Sequence, residues 1–231
     1  MERIQYLQGF CVNRWIGYFD LLGVKALVRA KHHISVFNIY SRAIEEVKKR
    51  NRTLETIDHA WFSDTFIIYS EDAAISCFAE LDHISRWFSY FLIESHVPVR
   101  GAIAVGEFYA DKKNALYFGD ALIEAYEYGE AQDWIGFVLC PSAERKLNSI
   151  GLFSNESLPY AHTNIPYNKR KDELKSNLPA CILGCWVQMG DKNPTLKNLY
   201  EMRDSAVEEK IKQKYDNSIT FIEKNKRVVV A

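Results

Sequence analysis

No CxxC pair, no HExxH motif and no apolar run approaching the roughly 18 residues of a membrane span occurs in the chain. The five cysteines (Cys11, Cys77, Cys140, Cys181, Cys185) are odd in number and dispersed, as expected of reduced core thiols in a cytosolic protein. Cys181 and Cys185 lack a second pair that would complete a four-ligand zinc site. An excess of either charge is also missing. Lys and Arg number 29 against 30 Asp and Glu, so no global positive field gathers nucleic-acid phosphates, and nucleic acid is not an expected partner. Met1 to Cys11 has no basic stretch followed by an apolar one, which gives the expectation of a soluble, cytoplasmic protein without a membrane partner. Only 11 Gly and 6 Pro interrupt 231 residues that are 48% apolar, so one sizeable core is expected.

What the chain does have is a regular alternation of short apolar runs and helical periodicity. Trp15 to Leu22 (WIGYFDLL) reads as a buried central strand that delivers Asp20 at its end. Val36, Phe37, Tyr40, Ile44 and Val47 then recur at helical spacing, ending in Lys48, Lys49 and Arg50. Ile57 to Phe62 and Phe66 to Tyr69 form a predicted hairpin with Ser63, Asp64 and Thr65 at its tip. A helix from Ile75 to Leu92 stops before Pro98, and Val99 to Val105 is a strand. After a polar turn at Asp111 to Asn114, Gly119 introduces a further helix, Gly136 to Cys140 a strand, and Pro141 a helix to about Leu147.

The polar, proline-bearing stretch from Ser149 to Ala180 reads as a connecting segment, Cys181 to Val187 as a strand, and the residues from Thr195 onward as one long helix. The expected fold class is α/β, with a ferredoxin-like β-α-β-β-α-β core. Residues 1–148 hold that core, and 149–231 supply a connecting segment, a strand and a C-terminal helix that complete the same domain.

Two carboxylates carry the chemical signal. Asp20 leaves a central strand, and Asp64 leaves a hairpin that pairs beside it in this arrangement, so both can converge and hold hard divalent cations through oxygen. A purely structural alternative stands beside this: Asp20 as the cap of the next helix and Asp64 as a turn residue. Leu21, Leu22, Gly23 and Lys25 would set backbone N–H groups of a helix start toward phosphates, with Lys25 adding charge or simply lying solvated.

The segments YFDLLG (18–23), FSDT (62–65), RGAIAVG (100–106) and YFGDAL (117–122) resemble the class III nucleotidyl cyclases in order and approximate spacing. The resemblance covers about residues 14–148. It implies a homodimer with sites at the subunit interface, and two Mg²⁺ or Mn²⁺ ions held by Asp20 and Asp64. The implied reaction is attack of a nucleoside triphosphate's 3′-hydroxyl on its own α-phosphate with loss of pyrophosphate.

The chain departs from the purine-specific members of that family. Their base-reading lysine and acid correspond to Ala60 and Leu116, and their transition-state asparagine and arginine fall near Ile123 and Glu127. Arg100 is the candidate replacement, reaching the aspartates from a second subunit, or else a strand arginine paired to an acid. Retained acids with altered base readers are similar to the bacterial pyrimidine cyclases of Pycsar antiphage systems. That resemblance implies conversion of UTP, slightly favoured, or CTP to a cyclic nucleotide read by a separate effector protein. Phe62 and Ala60 then lie along the nucleotide, on the face of Asp64. Two competing expectations remain: a catalytically silent nucleotide-binding module and a purine cyclase.

Overall fold

The computed structural model describes residues 12–50, 56–152, 158–168, 174–182 and 194–225. Strand β1 (Val12–Leu21) leads through a short helix α1 (Val24–Arg29) and a longer α2 (His33–Arg50) to the hairpin β2 (Ile57–Phe62) and β3 (Thr65–Ser70). Helix α3 (Ile75–Glu94) follows, then β4 (Val99–Asp111) and β5 (Leu116–Phe118), α4 (Asp120–Ala131), β6 (Gly136–Leu139) and α5 (Pro141–Ser149). The chain continues through β7 (Ala161–Asn164), β8 (Asn177–Cys181), α6 (Pro194–Ser205) and α7 (Glu209–Lys224). The strands form one sheet in the order β2-β3-β1-β4-β6-β8-β7, with β5 paired to β4. Its β2-β3-β1-β4 portion is antiparallel throughout and is the predicted ferredoxin-like unit.

Strand alternation divides the core. Trp15, Phe19 and Leu21 of β1 face a cluster completed by α2, α3 and α5, whereas Ile16 and Tyr18 face a second cluster completed by α4, α6 and α7. Helices on both faces explain why β1 is apolar almost continuously instead of alternating with polar residues. Cys77, Cys140 and Cys181 are free and buried, as expected of core thiols, while Cys11 and Cys185 lie outside the described residues. No helix among the described residues is long and apolar enough to cross a membrane.

Three sequence expectations fail. The segment 149–180 is more than a connection, because β7 and β8 pair within it and extend the sheet beyond β6. Both strands are short, β7 is polar, and Pro179 sits inside β8, so no alternating pattern announced them; only Ala180 and Cys181 pair with β6, leaving Pro179 beyond that ladder. The expected strand from Cys181 to Val187 instead ends at Cys181, with 183–187 outside the described residues.

The single long C-terminal helix is two helices, separated at Ala206 to Glu208, where Val207 is 94% exposed. The five-residue step from Ala206 to Ile211 turns an α-helical stripe about 140° off its face, so the apolar positions on either side of it do not lie along one straight helix. Two helices packed on each other return both apolar faces to the second core.

Candidate active site

Asp20 ends β1 on the face shared with Tyr18, and its register partners are Thr65 on β3 and Arg100 on β4. Arg100 Nε donates to Asp20 Oδ2 at 2.9 Å, and its NH2 group lies 2.8 Å from the same oxygen and 2.9 Å from Glu130 Oε2. The NH1 group donates to the carbonyls of Glu130 and Gln132 at 2.8 and 2.9 Å. Four guanidinium N–H groups are thereby hydrogen-bonded, and the NH2 group is also ion-paired with Asp20. Tyr18 adds a bond to Glu130 Oε1 at 3.0 Å. Gln132 is itself fixed, donating to the Gly101 and Tyr128 carbonyls and accepting from Trp134 Nε1 at 2.6 Å.

Burial pushes the Asp20 carboxyl up to about 6; Arg100 opposes the rise, while the negative charges of Glu130 and Asp64 add to it. Arg100 binds through Oδ2 alone, which leaves Oδ1 for another cation.

Asp64 stands on the two-residue tip between β2 and β3, after Ser63 in the left-handed region at φ 56°. Its carbonyl accepts the Leu21 N–H at 2.9 Å, which ties the tip to the end of β1 beside Asp20. Tyr40 Oη and Trp61 Nε1 both donate to the Ser63 carbonyl, at 2.6 and 3.0 Å, and their rings stack with centroids 4.0 Å apart. A backbone bond and an aromatic brace therefore hold the tip. The structure thus brings the two sequence-predicted acids to one place.

The remaining expected residues are distributed differently. Of the two expectations for Arg100, reach from a second subunit or a strand arginine paired to an acid, the structure has the second: it binds Asp20 of its own chain, because β1 and β4 pair in the register that sets the two residues side by side. Leu21 and Leu22 cannot offer their N–H groups to phosphates, since Asp64 and Pro98 carbonyls already accept them. Gly23, at φ 83° with open space around it, and exposed Lys25 keep the predicted position at the start of α1. Ala60 and Phe62 share the Asp20 face of the sheet, since their β3 partners Ile67 and Thr65 pair with Tyr18 and Asp20. Phe62 is 83% exposed, and Leu116 is exposed on β5.

Glu130, Tyr18 and Gln132 escaped the sequence reading. Tyr18 was legible only as part of YFDLLG, Glu130 only as one of the alternating charges of EAYEYGEA, which equally describes a solvated helix face, and Gln132 left no pattern.

The donor set fits a hard divalent cation. Asp20 and Asp64 offer carboxylate oxygens in a site whose negative charge is incompletely balanced. Among the described residues no group of three or more His, Cys, Asp or Glu forms a protein-only cage. Magnesium-type sites commonly use one or two carboxylates and fill the shell with substrate phosphate and water.

Neither a family model nor a curated protein matches the chain in sequence. Solved structures do match in fold. The catalytic core of a rhodopsin-guanylyl cyclase with converted specificity aligns over 74% of this chain and 95% of its own, at 7% identity and TM-score 0.53. The guanylyl cyclase Cya2 aligns over 75% and 93%, at 10% identity and TM-score 0.53. An adenylate cyclase from Trypanosoma brucei aligns over 73% and 87%, at 11% identity and TM-score 0.51. With the β2-β3-β1-β4 sheet and an acid at the end of β1, the chain has the fold of nucleotidyl cyclase catalytic domains.

Proposed function

We propose that the chain is a metal-dependent nucleotidyl cyclase acting as a homodimer on a pyrimidine nucleoside triphosphate, UTP or CTP. The observation that carries this reading is the Leu21–Asp64 backbone bond, which sets Asp64 beside Asp20 on a cyclase fold. Asp20, through Oδ1, and Asp64 would hold two Mg²⁺ or Mn²⁺ ions, which supply positive charge to the 3′-oxygen and the triphosphate. The new bond joins the 3′-oxygen to the α-phosphorus, the bond to the β-phosphate oxygen breaks, and the 3′-hydroxyl proton leaves to solvent.

The chain's own residues orient the substrate. The first-turn N–H groups of α1 after Gly23, with Lys25, suit the triphosphate. Phe62 offers an exposed ring to the base, and Ala60 and Leu116 leave room without supplying purine-reading charges. Arg100, engaged through all three nitrogens, positions Asp20 and does not touch phosphate. A pyrimidine product acting in the cytoplasm on a separate effector during antiphage defence follows from the resemblance stated above.

A second reading has support of its own: Ile123, 56% exposed, and Glu127 occupy the stretch of α4 where transition-state residues are expected, as in a silent nucleotide-binding module. Pyrophosphate release measured with each of the four NTPs and Mn²⁺ separates the readings. Turnover of UTP or CTP supports cyclisation of a pyrimidine, preference for ATP or GTP replaces the base assignment, and no turnover with any NTP selects the silent module. Asp20→Ala and Asp64→Ala should each lower turnover at least 1,000-fold, on the order of 4 kcal/mol in the barrier, and leave the melting temperature within a few degrees.

A further inference from the structure

From Leu21 to Ile44 the chain contains no Asp or Glu, although acids slightly outnumber bases overall. Lys25 of that stretch belongs to the proposed triphosphate site; Arg29, Lys31, His32, His33 and Arg42 do not, and all five are exposed. Arg42 lies over the Phe91 ring at 5.2 Å. Among the described residues no carboxylate pairs with the Arg29 or Lys31 side chain, so both charges stand open to solvent. The turn that carries them is tight. The Lys31 N–H donates to the Val28 carbonyl and the His32 N–H to the Leu27 carbonyl, both at 3.0 Å, with Lys31 in the left-handed region at φ 61°.

Large apolar side chains flank these charges. Helix α2 packs Ala43 and Val47 into the first core cluster, with Val36, Ile39 and Tyr40 against it. Ile34 and Phe37 fall outside that stripe and are 78% and 68% exposed, and Val28 at the end of α1 is 42% exposed. An acid-free, basic turn with unburied Val, Ile and Phe beside it is the combination that an interfacial segment needs, since the charges meet lipid phosphates and the apolar groups enter below them.

We propose that the α1–α2 turn and the first turns of α2 form a reversible docking surface for an anionic lipid bilayer. Charge complementarity selects this occupant. A second copy of the chain on the same patch would set Arg29 and Lys31 against their own equivalents, which repel in an isologous contact. Nucleic acid would satisfy the two charges but gives Val28 and Ile34 no apolar partner. Neither the near-zero net charge nor the lack of a membrane-spanning helix among the described residues bears on a patch that lies on a surface. Helix α2 packs on the face of the sheet opposite Tyr18 and Asp20, so docking leaves the proposed active site open.

Sedimentation of the whole chain with lipid vesicles tests the proposal. Partition onto phosphatidylcholine vesicles carrying about 30% phosphatidylglycerol should exceed that onto phosphatidylcholine alone at least about tenfold. Raising KCl from about 0.1 M to about 1 M, which shortens the screening length from about 10 to about 3 Å, should release the protein. Arg29→Glu/Lys31→Glu should lower partition onto the anionic vesicles at least about tenfold. Ile34→Ser/Phe37→Ser should lower it about tenfold and keep the salt dependence. Both pairs are exposed, so the melting temperatures should stay at the wild-type value. Equal partition onto neutral and anionic vesicles, no partition onto either, or wild-type partition of the charge-reversed variant overturns the proposal. Retention of a single-stranded oligonucleotide through Arg29 and Lys31, without vesicle binding, also overturns it and assigns the patch to nucleic acid. The inference stands apart from the cyclase reading, since no outcome of the pyrophosphate assay alters the partition.

Discussion

Burial at the end of β1, with Glu130 and Asp64 nearby, raises Asp20 to about 6 against an ordinary 3.8, even with Arg100 in contact. The folded chain therefore keeps a proton that the unfolded chain has already released. The stability from this group is complete below about pH 4 and is lost as pH rises through about 6, an effect on the order of 2 kcal/mol. Melting temperatures measured from pH 4 to 7 in chelator should show that loss in the wild type, and Asp20→Asn, neutral throughout, should lack it. Mn²⁺ at pH 7 should raise the melting temperature of the wild type more than that of the variant, because the cation supplies the charge that the proton supplied at low pH. Parallel curves for the two proteins, with and without Mn²⁺, would count against Asp20 as the titrating metal ligand.

Helix α4 is the element that presents Glu130 to Arg100 and Tyr18, and two glycines let it approach the sheet. At Gly119, φ is 146° and a Cβ would stand 2.3 Å from the Glu107 carbonyl oxygen, so the junction between β5 and α4 accepts no other residue without strain. At Gly129 a Cβ would stand 2.6 Å from Tyr18 Cδ1, which leaves no room between helix and strand. Gly129→Ala should push α4 off β1, lengthen the Glu130 contacts and destabilise the fold by about 1 to 3 kcal/mol. Gly106→Ala serves as a control, because its Cβ would meet Ala121 Cβ at an ordinary 3.6 Å and should change stability little. Thermal unfolding of the two variants followed by circular dichroism tests the difference. Equal loss in both would show that close packing at Gly129 is not the cause.

Across the whole molecule, the C-terminal helices pack on the same face of the sheet as Asp20 and brace the stretch that follows α4. Ser218 Oγ accepts the Ile135 N–H at 2.7 Å, Asn217 donates to the Asp133 carbonyl at 2.8 Å, and Lys214 pairs with the Asp133 side chain. These bonds hold the 130–135 stretch, whose carbonyls and Glu130 carboxylate grip Arg100. Apolar side chains remain exposed on or beside the Asp20 face, among them Phe62, Leu116, Phe118, Ile123 and Tyr126. That distribution suits a second copy of the chain in the proposed dimer. Phe118→Asp should convert the protein to a monomer in light scattering at micromolar concentration and remove turnover. A variant that is monomeric and fully active would exclude a site shared between subunits.

The sequence by itself determined most of the elements up to α5 and the position of the two acids at strand ends. Apolar runs bounded by polar tips marked β1 and the β2–β3 hairpin, and helical periodicity marked α2, α3 and α4, because burial leaves its period in the order of residues. Asp20 and Asp64 stood out for the same reason, as charges at the ends of apolar strands. Tertiary structure decided whatever depends on register or on a neighbour distant in the chain. Arg100 meets Asp20 across an 80-residue separation, and only the pairing of β1 with β4 makes it a same-chain partner of that acid, engaged through all three of its nitrogens. Leu21 and Leu22 lost their expected N–H groups to carbonyls brought in by the hairpin and by Pro98. Strands β7 and β8 form because β6 and its neighbours offer them an edge, so their short, polar and proline-bearing sequences carry no pattern of their own.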